Sequence, residues 1–403
     1  MNLRERIERL PGMDRLLPAL DGLPPAYLVG GAVRDLLRGE EAPLDLDVAV
    51  EGDAAATAQA VAERVGGTVA GFERFGTARV TAEGLVVDFA QTRSETYASP
   101  GALPEVGAAP LAEDLGRRDF SLNAMAAGLS GADVGELHDP FGGRADLEAG
   151  RIRVLHDRSF VDDPTRILRA LRYEARLGGR IDAHTEDLAR AAIESGALRT
   201  VSGKRLRVEL IALLAEPEMP EAIRRLCELG LDRALYPNLL CDPDRAASAA
   251  LGAAEVGADR PLAVLATLIA PDADALHPWL DRMAFPRGER ERVARAANRG
   301  PHLAHELRPD MAASELYELL RLEPLEGLAV ALAWGAPGDA ILRYLGELRG
   351  ARLEVTGDDL VAAGVPPSAA LGHALEETLR RKLDGEVSGR DAELAMALEL
   401  ARR

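Results

Sequence analysis

The sequence predicts an α+β protein, with a mixed α/β N-terminal domain followed by a mostly helical remainder. Between residues 26 and 91, short apolar runs alternate at period 2 and are separated by glycine turns, which is the pattern of strands. From residue 159 the period becomes helical, as in "DDPTRILRALRYEARLG", "DAHTEDLARAAIESG", "GKRLRVELIALLAE" and "PEAIRRLCELGL". Prolines at 237, 271, 286, 301, 309, 337, 366 and 367 then interrupt the helical signal to the end. At 403 residues and 47% hydrophobic, the chain can support two to four domains with real cores.

Taken in order, "AYLVGGAVRDLLR" (26–38) reads as a strand, a glycine turn and a helix start. In "EAPLDLDVAVEG" (41–52), Leu44, Leu46, Val48 and Val50 alternate into a core, so Asp45 and Asp47 share the opposite face. "DAAATAQAVAERVGG" (53–67) is a helix that Asp53 can cap and glycines end. "TVAGFERFGTARVTAEG" and "LVVDFAQTR" read as strands; in the second, Asp88 shares a face with Val86 and Ala90, opposite Leu85, Val87 and Phe89. Residues 91–112, with Pro100, Gly101, Pro104, Gly107 and Pro110, read as a long mobile loop of the kind that carries function. Residues 111–129 return to helix, and "ELHDPFGGRADLEAGRIRVL" reads as strand, tight turn and strand. The pattern divides into a first domain ending near 155 and helical parts over 155–275 and 276–403.

A formal charge of −18 argues against a protein that coats nucleic acid non-specifically, because that affinity comes from neutralising phosphates. A local basic field can still exist within it. Cys227 and Cys241 are too few for a disulfide framework and fit a reducing compartment. The N-terminus "MNLRERIERL" lacks the apolar core of a signal peptide, and no run of 18 apolar residues follows. A cytoplasmic, non-membrane protein is expected; nothing in the sequence fixes its oligomeric state.

Like charges one pleat apart repel, so Asp45, Asp47 and Asp88 make sense together if divalent cations neutralise them. Hard carboxylate oxygens suit Mg²⁺, which also takes phosphate oxygens. Gly30 and Gly31 after a strand, with Arg34 near a helix start, offer close backbone approach, N–H groups and a cation for a polyphosphate. The spacing is neither GxGxxG nor GxxxxGKS. In "DLGRRDFSLNA", Arg117 and Arg118 can meet phosphate and Asp119 can orient one of them; Asn123 lies one helical turn beyond Asp119. Arg166, Arg169, Arg172 and Arg176 form a stripe on one helix, and Asp163 can cap that helix or hold Arg166. Taken singly, each feature has a plainer reading as exposed aspartates, a surface arginine, helix caps or solvated charges. The seven histidines make no persuasive metal cluster, and there is no GxSxG elbow.

Together the motifs "LVGGAVRD", "DLDVAV", "RFGTARV", "VDFAQTRSETY", "EDLGRRDFSLNAMA", "DPFGGRADL", "DDPTRILRALRYEARL" and "SGKRLRVEL" resemble the tRNA nucleotidyltransferase/poly(A) polymerase family, specifically the bacterial-eukaryotic (class II) CCA-adding enzymes. The resemblance is strong over residues 26–215 and weaker at "TGDDLVAAGVPPSAALGHAL". It implies a nucleotidyltransferase head (1–155), a nucleotide-reading neck (156–215), a helical body (216–275) and a helical tail (276–403), the last two gripping the elbow and acceptor arm of tRNA. It implies that Asp45 and Asp47 are the metal-binding catalytic pair, with two Mg²⁺ ions as the cofactor and Asp88 a third carboxylate. Gly30, Gly31, Arg34 and Arg117 or Arg118 match residues that hold the incoming nucleotide. Asp163 and Arg166 match the side chains that read the base of CTP or ATP, and Arg169 and Arg172 their supporting and phosphate-binding neighbours. Asp119, Asn123 and Asp162 are expected to support them; Asp162 stands where the family more often has glutamate. Segment 91–112 corresponds to the loop that helps switch from C to A addition. The implied activity is untemplated addition of C and A to the tRNA 3′ end, with CC-only or A-only addition, poly(A) synthesis and noncatalytic RNA binding as rivals.

Overall fold

The computed structural model describes residues 2–40, 46–72, 76–269 and 273–402. Asp45 lies outside them. The chain divides into two compact units, one of residues 1–209, 216–218 and 225–234, the other of 210–215, 219–224 and 235–403.

The first unit is built on a seven-stranded sheet in the order β3-β4-β5-β2-β1-β8-β9. Its strands are β1 (Ala26–Val29), β2 (Asp47–Val50), β3 (Thr68–Phe72), β4 (Thr77–Ala82), β5 (Leu85–Gln91), β8 (Ala126–Gly128) and β9 (Leu137–His138). Among the described residues of this sheet, β2 and β5 pair in parallel and the other neighbouring strands antiparallel. Strand alternation splits the core in two. Leu28, Val48, Val50, Val87 and Phe89 pack with side chains of α1 (Arg4–Glu8), α2 (Met13–Ala19), α3 (Gly31–Arg38) and α4 (Ala54–Val65). Tyr27, Val29 and Ala49 point the other way, against Leu111 and Leu115 of α5 (Leu111–Gly116) and against Ala124. This second cluster is smaller, so the sheet face that carries Asp47 and Asp88 is only partly covered. As expected, Asp53 caps α4 by accepting from the Ala56 N–H at 2.9 Å, a contact worth about 1 kcal/mol.

Three local expectations change. Residues 93–108 are not an irregular loop: β6 (Arg93–Thr96) and β7 (Glu105–Ala108) pair as an antiparallel hairpin whose turn holds Pro100 and Pro104. The helix expected over 111–129 stops after Gly116; a 3₁₀ turn at Ser121–Asn123 follows, and β8 then enters the sheet beside β1. Buried small residues leave room there for a central strand, and a helical period does not reveal it. Between β9 and β10 (Arg151–Ile152) the tight turn is replaced by helix α6 (Gly143–Glu148). β10 leaves the main sheet to pair with β11 (Arg180–Ile181). The unit continues through α7 (Ser159–Asp162), α8 (Arg166–Leu177) and α9 (Ala183–Glu194), and α10 (Gly203–Ala215) begins in it.

Among its described residues the second unit is helical. Its core joins Ala253, Val256, Leu303, Leu316, Leu328, Ala329 and Ile341. Leu360, Val365 and Ala397 form a separate small cluster near the end. Among the described residues no helix is long and apolar enough to cross a membrane. Neither Cys227 nor Cys241 is a free thiol, contrary to the reduced state expected from their number.

Candidate nucleotide site

A cavity of about 1130 Å³ opens in the first unit between the start of α3, the β6–β7 hairpin, α8 and the start of α10. Its floor begins at Gly30, which leaves β1 with φ +66° and ψ −127°, a conformation that suits glycine. A Cβ there would stand 3.0 Å from Nη1 of Arg118, so glycine also admits that guanidinium against the backbone. Gly31 opens α3, and Arg34, one turn on, is buried. Its Nη1 donates to Asn123 Oδ1 at 2.8 Å and its Nε to Asp35 Oδ1 at 2.8 Å.

Asn123 in turn donates from Nδ2 to Asp119 Oδ1 at 2.9 Å. The expected proximity of these two residues is therefore found, through a 3₁₀ turn. The other Asp119 oxygen receives Nε and Nη2 of Arg169 at 2.9 and 2.7 Å. Burial alone would raise the Asp119 pKa, but Arg169 and the Asn123 hydrogen bond outweigh it and hold the carboxyl below its ordinary value. Burial likewise works against the Arg169 cation, yet Asp119, Tyr173 and Glu209 push its pKa up. The ring of Tyr173 carries Arg34, Arg169 and Arg172 at 5.4, 5.7 and 5.7 Å from its centroid.

Arg117 and Arg118 both fork onto buried Asp114, and Arg117 also reaches Glu95 at 2.8 Å. Asp119 therefore orients neither of them; it orients Arg169. Burial opposes the Asp114 charge, and the two arginines overcome it, lowering its pKa. Tyr97 donates to Glu95 at 3.0 Å, and burial pushes its phenol up to about 12. Arg166 donates to Ser159 Oγ at 2.8 Å and to the Arg117 carbonyl at 2.7 Å, which leaves three of its five N–H groups for other acceptors. Asp163 does not hold Arg166. Its Oδ1 accepts from the N–H and hydroxyl of Thr165, and its Oδ2 pairs with Arg205 at 2.7 Å.

The arginine stripe of α8 does not face the cavity as a whole. At 100° per residue, Arg169, Tyr173 and Arg176 stay within about 80° of Arg166 around the axis, while Arg172 has turned by about 120°. Arg166, Arg169, Tyr173 and Arg176 line the cavity; Arg172 lies outside the lining, near Glu209 and Glu216. Asp162 is also outside, accepting from Arg158 at 3.0 Å.

Asp47 borders the cavity at the first position of β2 and is exposed. Asp88 is its register partner on β5, so alternation brings the two carboxylates side by side. Both line an adjoining cavity of about 420 Å³ with Arg117 and Arg118. Arg79 grips Asp88 through two hydrogen bonds of 2.7 and 2.5 Å. Among the described residues no three metal-ligating side chains converge. The donor chemistry of Asp47, a hard oxygen at an open sheet end, nevertheless suits Mg²⁺. Sequence reasoning named no role for Glu95, Tyr97, Tyr173, Lys204 or Arg205, all of which line the cavity; the available signal was their place inside "RSETY", "RYEAR" and "SGKRL".

The family profile described as "Poly A polymerase head domain" matches residues 26–153, and "Probable RNA and SrmB- binding site of polymerase A" matches 180–241. An A-adding tRNA nucleotidyltransferase of Geobacter sulfurreducens is 38% identical over 402 residues, covering 94% of this chain and 45% of that protein. The chain thus spans less than half the length of that relative. A CC-adding tRNA nucleotidyltransferase of Deinococcus radiodurans is 35% identical over 374 residues, covering 91% of this chain and 87% of that one. A solved CCA-adding enzyme in complex with ATP is similar at 32% identity and a TM-score of 0.79, covering 93% of this chain and 91% of the other. With these likenesses extending across both units, the chain belongs to the tRNA nucleotidyltransferase/poly(A) polymerase family, among the bacterial CCA-adding type.

Proposed function

We propose that the protein adds C and/or A from CTP and ATP to the 3′ end of tRNA without a nucleic-acid template, releasing pyrophosphate. The observation that carries this reading is the cavity itself, where an acceptor and a donor, Asp163 and Arg166, face the same space as a glycine turn, Arg34 and Asp47. Cytosine and adenine both present an amino donor next to a ring-nitrogen acceptor, whereas uracil and guanine present a carbonyl next to an N–H. A carboxylate beside a guanidinium matches the first pair and leaves buried groups unmatched with the second.

In the proposed reaction the terminal ribose 3′-oxygen bonds to the α-phosphorus and the bond to the β-phosphate oxygen breaks. The N–H of Gly31, with Arg34, would hold the triphosphate, while Gly30, whose own N–H donates to the Met125 carbonyl at 3.2 Å, would let the backbone approach it closely; Arg117 and Arg118 would meet the phosphates near Asp47. Arg169 would brace the triphosphate-holding Arg34 through Asp119 and Asn123. Asp45 and Asp47 are the residues that would hold Mg²⁺, with Asp88 beside Asp47; two bound ions would lower the pKa of the attacking hydroxyl and offset charge on the leaving oxygen. Arginine forks, already braced by Asp114, Asp119 and Glu95, need little reorganisation to accept phosphate. Arg172 and Asp162 support this end from outside the lining.

In this reading residues 1–155 are the head, 156–215 the neck, 216–275 the body and 276–403 the tail, the last two holding the tRNA elbow and acceptor arm in the cytoplasm. Incorporation of labelled CTP and ATP into tRNAs ending in N, NC and NCC tests it. Addition that stops at the mature end supports the proposal, and the first substrate extended assigns CCA, CC or A addition. Long A tails on general RNA would favour a poly(A) polymerase, and no incorporation beside an active control would favour a noncatalytic binder.

A further inference from the structure

Tyr173 sits on α8 with three cations around one ring. Its side chain is buried, and the ring meets that of Phe120, itself fully buried, edge-on with centroids 5.7 Å apart and planes at 82°. The core therefore fixes where the ring stands. Arg34 comes to it from α3, and Arg169 and Arg172 from α8 itself, with guanidinium carbons 5.4, 5.7 and 5.7 Å from the ring centroid. Arg169 also donates from Nη2 to the Tyr173 hydroxyl at 3.3 Å. Like charges gathered this closely repel, and a carboxylate offsets them only by occupying N–H groups, as Asp35 does for Arg34. The electron-rich face of an aromatic ring attracts a guanidinium and occupies none of its in-plane donors. This difference matters most at Arg34, because a Cβ on Gly31 would stand 3.6 Å from its Nη2. The same guanidinium thus neighbours the glycine turn and the ring.

We propose that Tyr173 is a positioning residue whose ring holds the Arg34 guanidinium at the glycine turn, ready for the triphosphate, which rests on the reading of Arg34 as a triphosphate-holding residue. The hydrogen bonds of Arg34 to Asn123 and Asp35 fix two of its donors, and the ring supplies attraction without taking a third. A phosphate arriving there meets a cation already in place, so little ordering is left to the moment of binding. A ring that acts in this way governs affinity for phosphate and is blind to the base. Its signature is therefore an equal effect on every accepted nucleotide, with base exclusion, the task of Asp163 and Arg166, left as it was.

The test measures the affinity of inorganic tripolyphosphate by titration calorimetry in Mg²⁺ buffer, and KM and kcat for the four nucleoside triphosphates on tRNAs ending in N and in NCC, using wild type, Tyr173→Leu, Tyr173→Phe and Arg34→Gln. For Tyr173→Leu the expected result is tripolyphosphate binding weaker by about tenfold and a KM raised by about the same factor for each accepted nucleotide, with kcat changed less and UTP and GTP still excluded. Tyr173→Phe keeps the ring and loses only the long hydroxyl contact, so it should stay within about threefold of wild type. Wild-type tripolyphosphate affinity in Tyr173→Leu, or equal damage in Tyr173→Phe and Tyr173→Leu, would overturn the proposal. If Tyr173→Leu does not fold, Tyr173→Met, which fills the space without a π face, carries the same test. Arg34→Gln separates the two levels: tripolyphosphate binding left intact there would sink the triphosphate role of Arg34 itself, whereas binding lost there and kept in Tyr173→Leu would sink the role of the ring alone.

Discussion

The two ends of the candidate site balance their charges in opposite ways. At the α8 end, the buried arginine charge is met by protein carboxylates, Arg169 by Asp119 and Glu209. At the sheet end, Asp47 at the start of β2 and Asp88 within β5 stand side by side on a parallel pair, and Arg79 grips Asp88. The comparison teaches that the first end is shaped by the fold, while the second concentrates negative charge where a cation can reach it. Changes at the sheet end should therefore cost chemistry, and changes at the α8 end should cost stability as well.

Asp47→Ala sharpens the contrast most. Transfer should fall by roughly a thousandfold or more, the scale of losing a principal electrostatic group, while urea unfolding stays within about 0.5 kcal/mol because an exposed side chain is removed. Wild-type turnover would break the account of this end. Asp119→Asn should act in the opposite sense, destabilising the first unit by roughly 1–3 kcal/mol in urea melts, since Arg169 keeps Glu209 but loses its buried carboxylate. Its pH dependence has a definite sign. The Asp119 pKa is lowered in the fold, so its contribution is present above the ordinary carboxylate range near pH 4 and is lost as pH falls through the lower folded value. The variant should show a flatter acid limb than wild type; parallel acid limbs would contradict the assignment. The smallest effect is expected from Arg79→Ala. Freeing Asp88 from its competing cation should tighten Mn²⁺ binding, read by titration calorimetry, by about two- to tenfold, the scale of one exposed ion pair. Unchanged or weaker binding would show that Arg79 does not compete with the metal.

Much of this contrast was legible in the sequence because strand alternation is a strict rule. Asp88 was expected on one face of its strand, and the fold sets it beside Asp47. The hairpin at 93–108 was hidden by its prolines and glycines, which mark the turn and mask the short flanking strands. Arg172 was grouped with its neighbours because spacings of three look alike in a sequence, while on a helix each drifts by about 60°. Asp163 was expected to cap α8 or hold Arg166, and local spacing had no means to name Arg205 from another helix. Such partners depend on tertiary placement, which periodicity does not carry.

The central claim is that one cavity selects C and A through Asp163 and Arg166. The most direct measurement is single-turnover incorporation of each of the four nucleotides into tRNA lacking its 3′ end, by wild type and by Arg166→Lys. The account predicts that wild type uses CTP, ATP or both and excludes UTP and GTP, and that the variant relaxes that exclusion by about tenfold or more. Indiscriminate use of all four nucleotides by wild type, or an exclusion untouched in the variant, would contradict it.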